Sequence, residues 1–523
     1  MSEKHFFRAT LLIAIFSFLS RVLGLLRSTL LAAFYGATQS SGLNDCYTAA
    51  FKLPDIIFNL VAAGSISIVL IPYFTGLLKK EDKEELNKAC SQFLNFFFIL
   101  MSFFLLIAFF FAPIFVKNFL VTGWENNQNI LLTIKLTRIL LLQVLFITLS
   151  GIFGSYLNAI QRFAFYSFAM LSYNVGIIIG VVFFANFLSI EGVVWGVVLG
   201  GILHFLIQMI GGAINGFKYY FSLPKFDKDV KELFLVAIPR IIAISGDQII
   251  RFFLVNFASF IFIGSIFIFD NVENIGMIFY GIIAVSISTT AFPIFVKLYN
   301  ECEFDKLLES LFEKLRGLLF FILPLTILMI IFKKEIVEIL LGYNKFGQND
   351  ILITADALMY YLIGIPFLSI TIIVVKFYYS QKKSLVPMII ALISIFITIT
   401  LSYYMSKKLA VSGLSFGRSI GFIVQAILLL IFIKILNIKE KKFSQFPKKI
   451  IFDIVKIVLI STIILIIGLI LHSNIQFSQN VKLNSLLNIF VFGSILGGIY
   501  FLFSFLLKIP EIKFITKKIF KKN

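Results

Sequence analysis

Residues 93–116 read FLNFFFILMSFFLLIAFFFAPIFV, and this run decides the fold class. It contains no charged residue, and about twenty such residues are enough for an α-helix to cross the hydrocarbon core of a bilayer. Residues 451–471 form a second long apolar run. A strand of a membrane β-barrel would instead alternate apolar and polar residues over about ten positions. The sequence therefore predicts membrane-spanning helices.

The composition of the whole chain agrees with this prediction. Of 523 residues, 59% are apolar and 14% are charged, and the mean hydropathy is +0.99. Soluble globular chains are roughly half apolar and about a quarter charged. Hydrocarbon admits only helices or closed barrels, because every backbone polar group must be satisfied internally. We therefore expect an all-α integral membrane protein.

The net charge of +19 indicates a membrane surface rather than nucleic acid as the partner. The lysines lie at helix ends and in short loops, where they suit the anionic cytoplasmic leaflet, so membrane phospholipids are expected partners and nucleic acid is not. Cys46, Cys90 and Cys302 are far apart, which predicts neither a disulfide framework nor a metal site, and no cofactor is expected. His204 lies inside an apolar run and is interpreted as a packed residue. The first thirty residues lack a cleavage site and are not expected to be a signal peptide.

Hydropathy predicts about fourteen transmembrane helices. Their approximate limits are 8–35, 45–77, 91–116, 130–157, 164–187, 191–216, 232–259, 274–298, 307–332, 351–379, 385–406, 411–436, 451–472 and 485–507. The linkers are all shorter than the fifty or so residues that a soluble domain needs, so the function is expected within the helix bundle. A multi-pass protein of the bacterial inner membrane is predicted.

Loop charge predicts the orientation. Alternate loops and the tail are basic, and include Lys79, Lys80, Lys83, Lys88, Arg162, Lys218, Lys225, Lys228, Lys382, Lys383, Lys439, Lys441, Lys442, Lys517 and Lys518. The opposite loops 36–44, 188–190 and 260–272 have no Lys or Arg. The excess of positive charge on cytoplasmic loops therefore places both termini in the cytoplasm.

The chain contains an internal repeat. Residues 63–74 read AGSISIVLIPYF and residues 284–295 read AVSISTTAFPIF, at an offset of 221. Gln161-Arg162 and Gln381-Lys382 match at an offset of 220. Repeated helical halves are common in alternating-access transporters. We predict two repeated six-helix lobes, residues 1–217 and 218–437, followed by an extra helix pair with a basic cytoplasmic tail, residues 438–523.

Charged residues inside predicted spans are candidates for a binding site, because a charge at mid-bilayer usually faces a cavity or a partner. Arg21 and Arg27 lie on span 1 and are separated by about 600° of helix rotation, so they can border one polar groove. Lys52 and Asp55 follow Asp45 on span 2 and are spaced to share one helix face, with Pro54 interrupting the helix.

Span 7 carries Arg240, Asp247 and Arg251, of which the last two are spaced for an ion pair. The remaining intramembrane charges are interpreted as snorkelling or structurally paired; they are Arg138, Asp356, Lys376 and Arg418. A cavity lined by arginine suits an anionic head group, because guanidinium binds phosphate through two hydrogen bonds. A diphosphate-linked lipid would place its charge there and its tail along the apolar helices.

Several of these residues lie in segments that resemble the MurJ (MviN) family of lipid II flippases. The matching segments are SRVLGLLR (residues 20–27), FYGA (34–37), Asp45, AFKLP (50–54), LNAIQRFAFYSF (157–168) and FYYSQKKSLVP (377–387). Their order and spacing match as well, and the resemblance covers essentially the whole chain, including the extra pair of spans.

The resemblance implies the fold of the multidrug/oligosaccharidyl-lipid/polysaccharide exporter superfamily. It implies a transporter rather than an enzyme, one that moves undecaprenyl-diphosphate-linked peptidoglycan precursor (lipid II) to the outer face. Arg21, Arg27, Asp45 and Lys52 match the family's cavity positions, and a monomer is expected. The extra pair would border a groove for the lipid tail. Membrane potential and an ion gradient both remain as sources of energy.

The sequence departs from the family at other cavity positions. Ser28 replaces a frequent Asp, and the frequent arginines of spans 2 and 8 are replaced by Phe58-Asn59 and Asn274. The triplet Ala62-Ala63-Gly64 stands where the family often has Ala-Glu-Gly. We expect Arg240 or Arg251 to supply the missing positive charge.

Three other interpretations remain. The first is another exporter of the same superfamily, for an O-antigen, a capsule precursor or drugs, although those usually have twelve spans. The second is a membrane-embedded transferase or polymerase that uses Asp45, Asp55, Asp270 and Glu273, but such enzymes need carboxylates grouped at a membrane face. The third is a scaffold without transport.

Overall fold

The computed structural model describes residues 3–39, 41–60, 66–79, 83–223, 246–440, 447–472 and 477–512. In these ranges the chain is α-helical apart from turns, short connecting segments and single π-helical turns, and it contains no β-strand. The all-α class expected from the composition is therefore confirmed. The chain packs into two compact units, Met1–Phe267 with Tyr343–Phe346, and Ile268–Gly342 with Gly347–Asn523. The lobe boundaries that the repeat predicts, after residues 217 and 437, stay predictions.

The first unit consists of ten helices in the part of the chain described. They are α1 (Glu3–Tyr35), α2 (Leu43–Ala50), α3 (Lys52–Phe58), α4 (Ile66–Lys79), α5 (Lys83–Phe115), α6 (Asn127–Ala159), α7 (Phe163–Ile179), α8 (Ala185–Leu188), α9 (Ile190–Ile214) and α10 (246–258). The π-helical turns Val116–Leu120 and Gly180–Phe184 extend α5 and α7. An aromatic core that includes Phe74, Phe93 and Phe153 joins α4, α5 and α6.

The interruption predicted at Pro54 is present. Helix α2 ends at Ala50, Phe51 lies between the helices, and α3 begins at Lys52. Pro54 occupies the first turn of α3, where its missing N–H costs nothing because the first amides of a helix have no intrahelical acceptor.

Helices α7 and α9 approach closely through glycine. Gly176 and Gly180 on one side face Gly196 and Gly200 on the other, and a Cβ atom on Gly196 would lie 2.8 Å from the Gly176 carbonyl oxygen. Small residues at a helix interface allow backbones to pack against each other, which is how membrane helices gain contact energy.

A larger residue at this crossing is expected to destabilise the first unit. Gly196→Val forces the backbones apart, and overpacking of this kind costs about 1–3 kcal/mol. The measurement is the midpoint of heat denaturation of the purified protein in detergent. Gly76→Val is the matched control, because a Cβ on Gly76 meets no heavy atom within 4 Å. Equal midpoints for the two variants would contradict the packing argument.

The second unit contains the remaining helices. They are α11 (Ser265–Gly276), which begins in the first unit, α12 (Val285–Asn300), α13 (Phe304–Ile331), α14 (Lys333–Leu341), α15 (Gln348–Leu362), α16 (Ile365–Ser380), α17 (Leu385–Glu440), α18 (Lys448–His472) and α19 (Val481–Leu506). The π-helical turn Tyr280–Ala284 precedes α12. A core that includes Phe295, Phe377 and Leu429 joins α12, α16 and α17.

Helix α17 is a hairpin of two helices rather than one rod. Ala410 has a φ of 51° and a ψ of −131°, which breaks the helix. Ser394 Oγ donates to the Gly421 carbonyl at 2.9 Å, and Ser402 Oγ donates to the Leu414 carbonyl at 3.4 Å, so the two halves run antiparallel. This break agrees with the predicted separation of spans 11 and 12.

The extra helices α18 and α19 are fastened to the second unit by buried polar contacts. Arg316 of α13 forms ion pairs with Asp453 of α18 at 3.6 Å and with Glu511 at 2.7 Å. Ser485 of α19 donates to Glu338 of α14 at 2.7 Å. These contacts lie near opposite ends of α19, so the pair is held along its length.

Two helix ends at corresponding positions of the predicted repeat share one backbone conformation. After α6, Gln161 has a φ of 62°, and the Arg162 amide donates to the Leu157 carbonyl at 2.8 Å. After α16, Lys382 has a φ of 59°, and the Lys383 amide donates to Tyr378 at 3.1 Å. Both ends have the left-handed residue and six-to-one hydrogen bond of a Schellman motif. The backbone aligns them at an offset of 221, the offset of the first repeated segment.

Eleven helices among the described residues are long and apolar enough to cross a membrane. One of them, Leu385–Ile435, contains the α17 hairpin and covers two predicted spans. Predicted spans 2 and 7 include residues 61–65 and 232–245, which lie outside the described part of the chain. The total of fourteen spans stays a prediction, and a multi-pass membrane protein is confirmed.

Candidate functional site

The two arginines of α1 lie on different faces of that helix. Arg21 is exposed, whereas Arg27, six residues further along, is half-buried. The Nε of Arg27 is buried and has no hydrogen-bond acceptor among the residues that the structure describes. Of the two, Arg27 is therefore the cation that points into the first unit.

A polar chamber lies inside the first unit, among α1, α3, α6, α7 and α9. Its volume is about 350 Å³, and its lining residues are Ser20, Asp55, Phe58, Gln143, Val144, Ile147, Met170, Tyr173, Asn174 and His204. Polar side chains are rare in apolar helices, because each needs a partner when it leaves water. Five helices nevertheless each bring at least one polar group here, so the chamber is a candidate binding site.

Hydrogen bonds fix the orientation of the chamber's side chains. The Tyr173 hydroxyl donates to Gln143 Oε1 at 2.9 Å. Asn174 Nδ2 donates to the backbone carbonyl of Ser20 at 3.2 Å and to its hydroxyl at 3.1 Å. His204 Nδ1 lies 2.7 Å from the Ser150 hydroxyl. His204 is therefore packed, as expected, and it also lines the chamber.

Two charged side chains lie close to the chamber. Arg27 and Asp55 both lie within electrostatic range of the Tyr173 hydroxyl. The chamber region thus combines a guanidinium, a carboxylate, two amides and a phenol in an apolar unit. Such a set can hydrogen-bond to the polar head of an amphiphilic substrate, and the guanidinium suits a phosphate group.

Asp45 is bonded to protein backbone. Its side chain is 1% exposed, and its two carboxylate oxygens accept from the amides of Gly264 at 2.6 Å and Phe267 at 2.8 Å. Gly264 has a φ of 103°, and Phe267 lies in the first turn of α11, where amides have no helical acceptor. Asp45 therefore ties α2 to a turn 219 residues away.

Lys52 and Arg251, the other described cations proposed for the interior of the first unit, do not line the chamber. Lys52 is half-buried at the start of α3. Arg251 of α10 forms the predicted ion pair with Asp247 at 2.9 Å, with 30% and 48% of the two side chains exposed. Arg240 lies outside the described residues. The structure therefore places Arg27 within electrostatic range of Tyr173 in the chamber and shows Arg251 paired with Asp247 on its own helix.

Several charged residues of the second unit have polar partners. Arg418 lies 3.5 Å from Glu273, and both side chains are less than 7% exposed. Lys333 binds Asp356 at 2.5 Å, and Asn274 donates to Asp270 at 3.0 Å. Two of the carboxylates that an enzyme would use are thus held in separate structural contacts, Asp45 on backbone amides and Glu273 beside an arginine.

Comparison with known proteins identifies the family. A model of the family described as lipid II flippase MurJ matches residues 31–492, which is most of the chain.

The chain belongs to the MurJ family.

The probable lipid II flippase MurJ of Buchnera aphidicola subsp. Acyrthosiphon pisum is 27% identical over 509 residues, which is 94% of this chain and 95% of that protein. A solved structure of lipid II flippase MurJ in an inward closed conformation shares 26% identity, with a TM-score of 0.75, over 94% of this chain and 99% of that one. A multidrug resistance MATE family transporter of the MOP superfamily shares the fold, with a TM-score of 0.66 at 16% identity over 82% of this chain and 96% of that one. The family expected from the sequence is confirmed, and the likeness to the MATE transporter confirms the expected fold.

Two departures from the MurJ pattern, at Phe58 and Asn59, fall on the chamber and beside it, whereas Ala62-Ala63-Gly64 lies outside the described residues. Phe58, at a frequent arginine position, lines the chamber with an aromatic ring. Its neighbour Asn59 donates to the Asp55 carbonyl at 2.8 Å. The positive charge expected at these positions is therefore replaced by an apolar ring and an amide turned to its own helix.

Sequence reasoning missed the amides and the phenol of the chamber. Gln143, Tyr173 and Asn174 lie in spans selected for their apolar character, and only charged residues were considered there. The available signal was a polar uncharged residue near the middle of an apolar span. Such residues are also common in helix packing, so the signal needs the fold to become specific.

Proposed function

We infer that this member of the MurJ family translocates lipid II, the undecaprenyl-diphosphate-linked precursor of peptidoglycan, across the bacterial inner membrane. The observation that carries this proposal is the match of the family model to residues 31–492. The chamber beside Arg27 supports it, because a membrane-embedded cation suits the diphosphate of such a lipid.

The proposed mechanism is alternating access. The lobes 1–217 and 218–437 rock about a central cavity that opens to one face of the membrane and then to the other. Both termini lie in the cytoplasm, as the charge of the loops favours. The diphosphate binds cations drawn from Arg21, Arg27, Lys52, Arg240 and Arg251. Asp45, which the sequence places in the same set, acts by holding α2 in place through its bonds to the amides of Gly264 and Phe267.

The undecaprenyl chain stays in the lipid beside the extra pair in residues 438–523, and the protein works as a monomer. No cofactor takes part. Membrane potential or an ion gradient resets the cycle, and a potential supplies about 2.3 kcal/mol per charge per 100 mV.

Complementation tests the function. A bacterium whose own lipid II flippase is switched off is expected to grow, and to show lipid II on its outer face, when it expresses this chain. Arg27→Ala is expected to abolish both, because the variant lacks the cation beside the chamber. Arg162→Ala, at an exposed position in the turn after α6, is expected to rescue like the parent.

One result would contradict the proposed function, and another would contradict only the role assigned to Arg27. If the parent chain reaches the membrane in normal amounts but gives neither growth nor surface lipid II, lipid II is not the substrate. If Arg27→Ala rescues as well as the parent, the function stands and the role assigned to Arg27 is wrong.

A further inference from the structure

A second cavity lies on the outside of the first unit, between α5, α6 and α9. This groove has a volume of about 710 Å³, within the roughly 300–1,000 Å³ usual for ligand sites. Its wall is mainly apolar and includes Leu105, Phe109, Leu141, Leu142, Leu145 and Trp195. An apolar groove on a membrane protein by itself indicates only contact with lipid tails.

Charged residues make this groove different from ordinary lipid-facing surface. Lys135 and Arg138 of α6 both line it, and their spacing of three places them on one face of the helix. Glu191, at the start of α9, binds Lys135 at 2.6 Å. Two cations and one carboxylate leave the groove with a net charge of +1.

Arg138 is oriented by protein contacts that occupy only part of its guanidinium. Its Nε donates to the Phe109 carbonyl at 3.1 Å, and its guanidinium carbon lies 4.5 Å from the centre of the Phe109 ring. A guanidinium carries five N–H donors, and the four on its terminal nitrogens are arranged to bind an anion through two parallel bonds. The contacts with Phe109 fix the plane of the guanidinium and therefore the direction of these four donors.

Arg138 lies below the expected membrane surface, where an anionic partner would stabilise its charge. It lies eleven residues after Asn127, the first residue of α6, which corresponds to about 16 Å along the helix. A cation below the membrane surface is costly unless it has a partner or reaches the head groups. Lys135 has Glu191 as its partner, whereas the groove offers Arg138 a backbone carbonyl and a ring.

We propose that this groove binds an anionic phospholipid, whose phosphate pairs with Arg138 beside the Lys135–Glu191 pair and whose acyl chain lies along the Leu141–Leu145 wall. The charge of the groove selects the anionic lipid, and the apolar wall selects a lipid over a soluble phosphate. With both termini in the cytoplasm, the start of α6 is on the outer side, so the lipid belongs to the outer leaflet. This site is separate from transport and does not depend on the proposed substrate.

A native tryptophan can serve as a fluorescent probe of lipid in the groove. It has two tryptophans, Trp124 and Trp195, and Trp195 lines the groove with 41% of its surface exposed. In Trp124→Phe, fluorescence therefore reports on the groove alone. The protein is reconstituted in vesicles that mix phosphatidylcholine with phosphatidylglycerol, either of which carries brominated chains that quench tryptophan on contact.

Trp195 is expected to prefer phosphatidylglycerol over phosphatidylcholine by about fivefold, the ratio that one membrane-surface cation typically provides. Arg138→Gln is expected to bring the ratio close to one while the protein keeps its elution volume. Lys117→Gln removes an exposed cation that lies beyond α5 and does not line the groove, and it is expected to keep the preference.

The reciprocal probe separates the groove from the general surface charge. In Trp195→Phe, the remaining Trp124 is expected to be quenched equally by the two lipids. Three results would each overturn the proposal. Trp195 could show no preference for phosphatidylglycerol, its preference could survive Arg138→Gln, or Trp124 could prefer phosphatidylglycerol as strongly as Trp195 does.

Discussion

Replacing Asp45 with alanine is expected to lower the free energy of unfolding of the first unit by about 2–6 kcal/mol. The carboxylate accepts from two buried amides, those of Gly264 and Phe267, and each amide left without an acceptor costs about 1–3 kcal/mol. Asp45→Asn keeps one acceptor oxygen and is expected to lose about half as much. The effect is large because the contact joins segments 219 residues apart.

Buried cysteines give a direct measurement of this loss. Cys46 and Cys90 are buried in the first unit, and Cys302 is exposed and can be replaced by serine. Labelling of the buried thiols by a fluorogenic maleimide during heating then reports unfolding of that unit. Glu125→Ala, in an exposed turn of the same unit, is the control and is expected to match the parent.

The same variants separate a structural role of Asp45 from substrate binding. Loss of both stability and complementation agrees with a contact that holds the fold. If Asp45→Ala unfolds at the parent's temperature and still fails to complement, the carboxylate acts on the substrate, as the sequence predicts, and the structural argument is wrong.

Arg418→Ala is expected to destabilise the second unit by about 3–5 kcal/mol. Its partner Glu273 is 4% exposed, and removing one member of a buried ion pair leaves a charge that the interior cannot solvate. Arg418 also lies against the ring of Phe422, with its guanidinium carbon 4.8 Å from the ring centre. The measurement is the temperature at which heated, detergent-solubilised protein loses its monodisperse elution peak, which is expected to fall by roughly 5–10 °C.

A double variant tests whether the charge is the cause. Glu273→Gln combined with Arg418→Met removes both charges and keeps most of the volume, so it is expected to be more stable than Arg418→Ala. Lys306→Ala breaks a pair with Glu303 whose side chains are 67% and 37% exposed, and it is expected to leave the midpoint unchanged. A double variant as unstable as Arg418→Ala would show that shape, rather than charge, holds this region.

The sequence alone predicts the features that depend on residues close together along the chain. Runs such as residues 93–116 predict spans, because one helix must satisfy its own backbone in hydrocarbon. The Asp247–Arg251 pair and the break before Pro54 follow from spacing along one helix, and both are present. The family follows from ordered motifs in the same way, because those motifs are read directly along the chain.

Only the tertiary structure decided which distant side chains meet. Asp45 appears in the sequence as a candidate for the substrate, and the fold gives its oxygens to Gly264 and Phe267. Arg418 was expected to be snorkelling or paired, and its partner Glu273 is 145 positions away. In the sequence Gln143, Tyr173 and Asn174 are single polar residues of apolar spans, and the packing of α6 against α7 brings them to one chamber. The physical reason is that hydropathy fixes whether a helix lies in the membrane, whereas packing fixes its rotation, and the rotation decides which polar groups face each other.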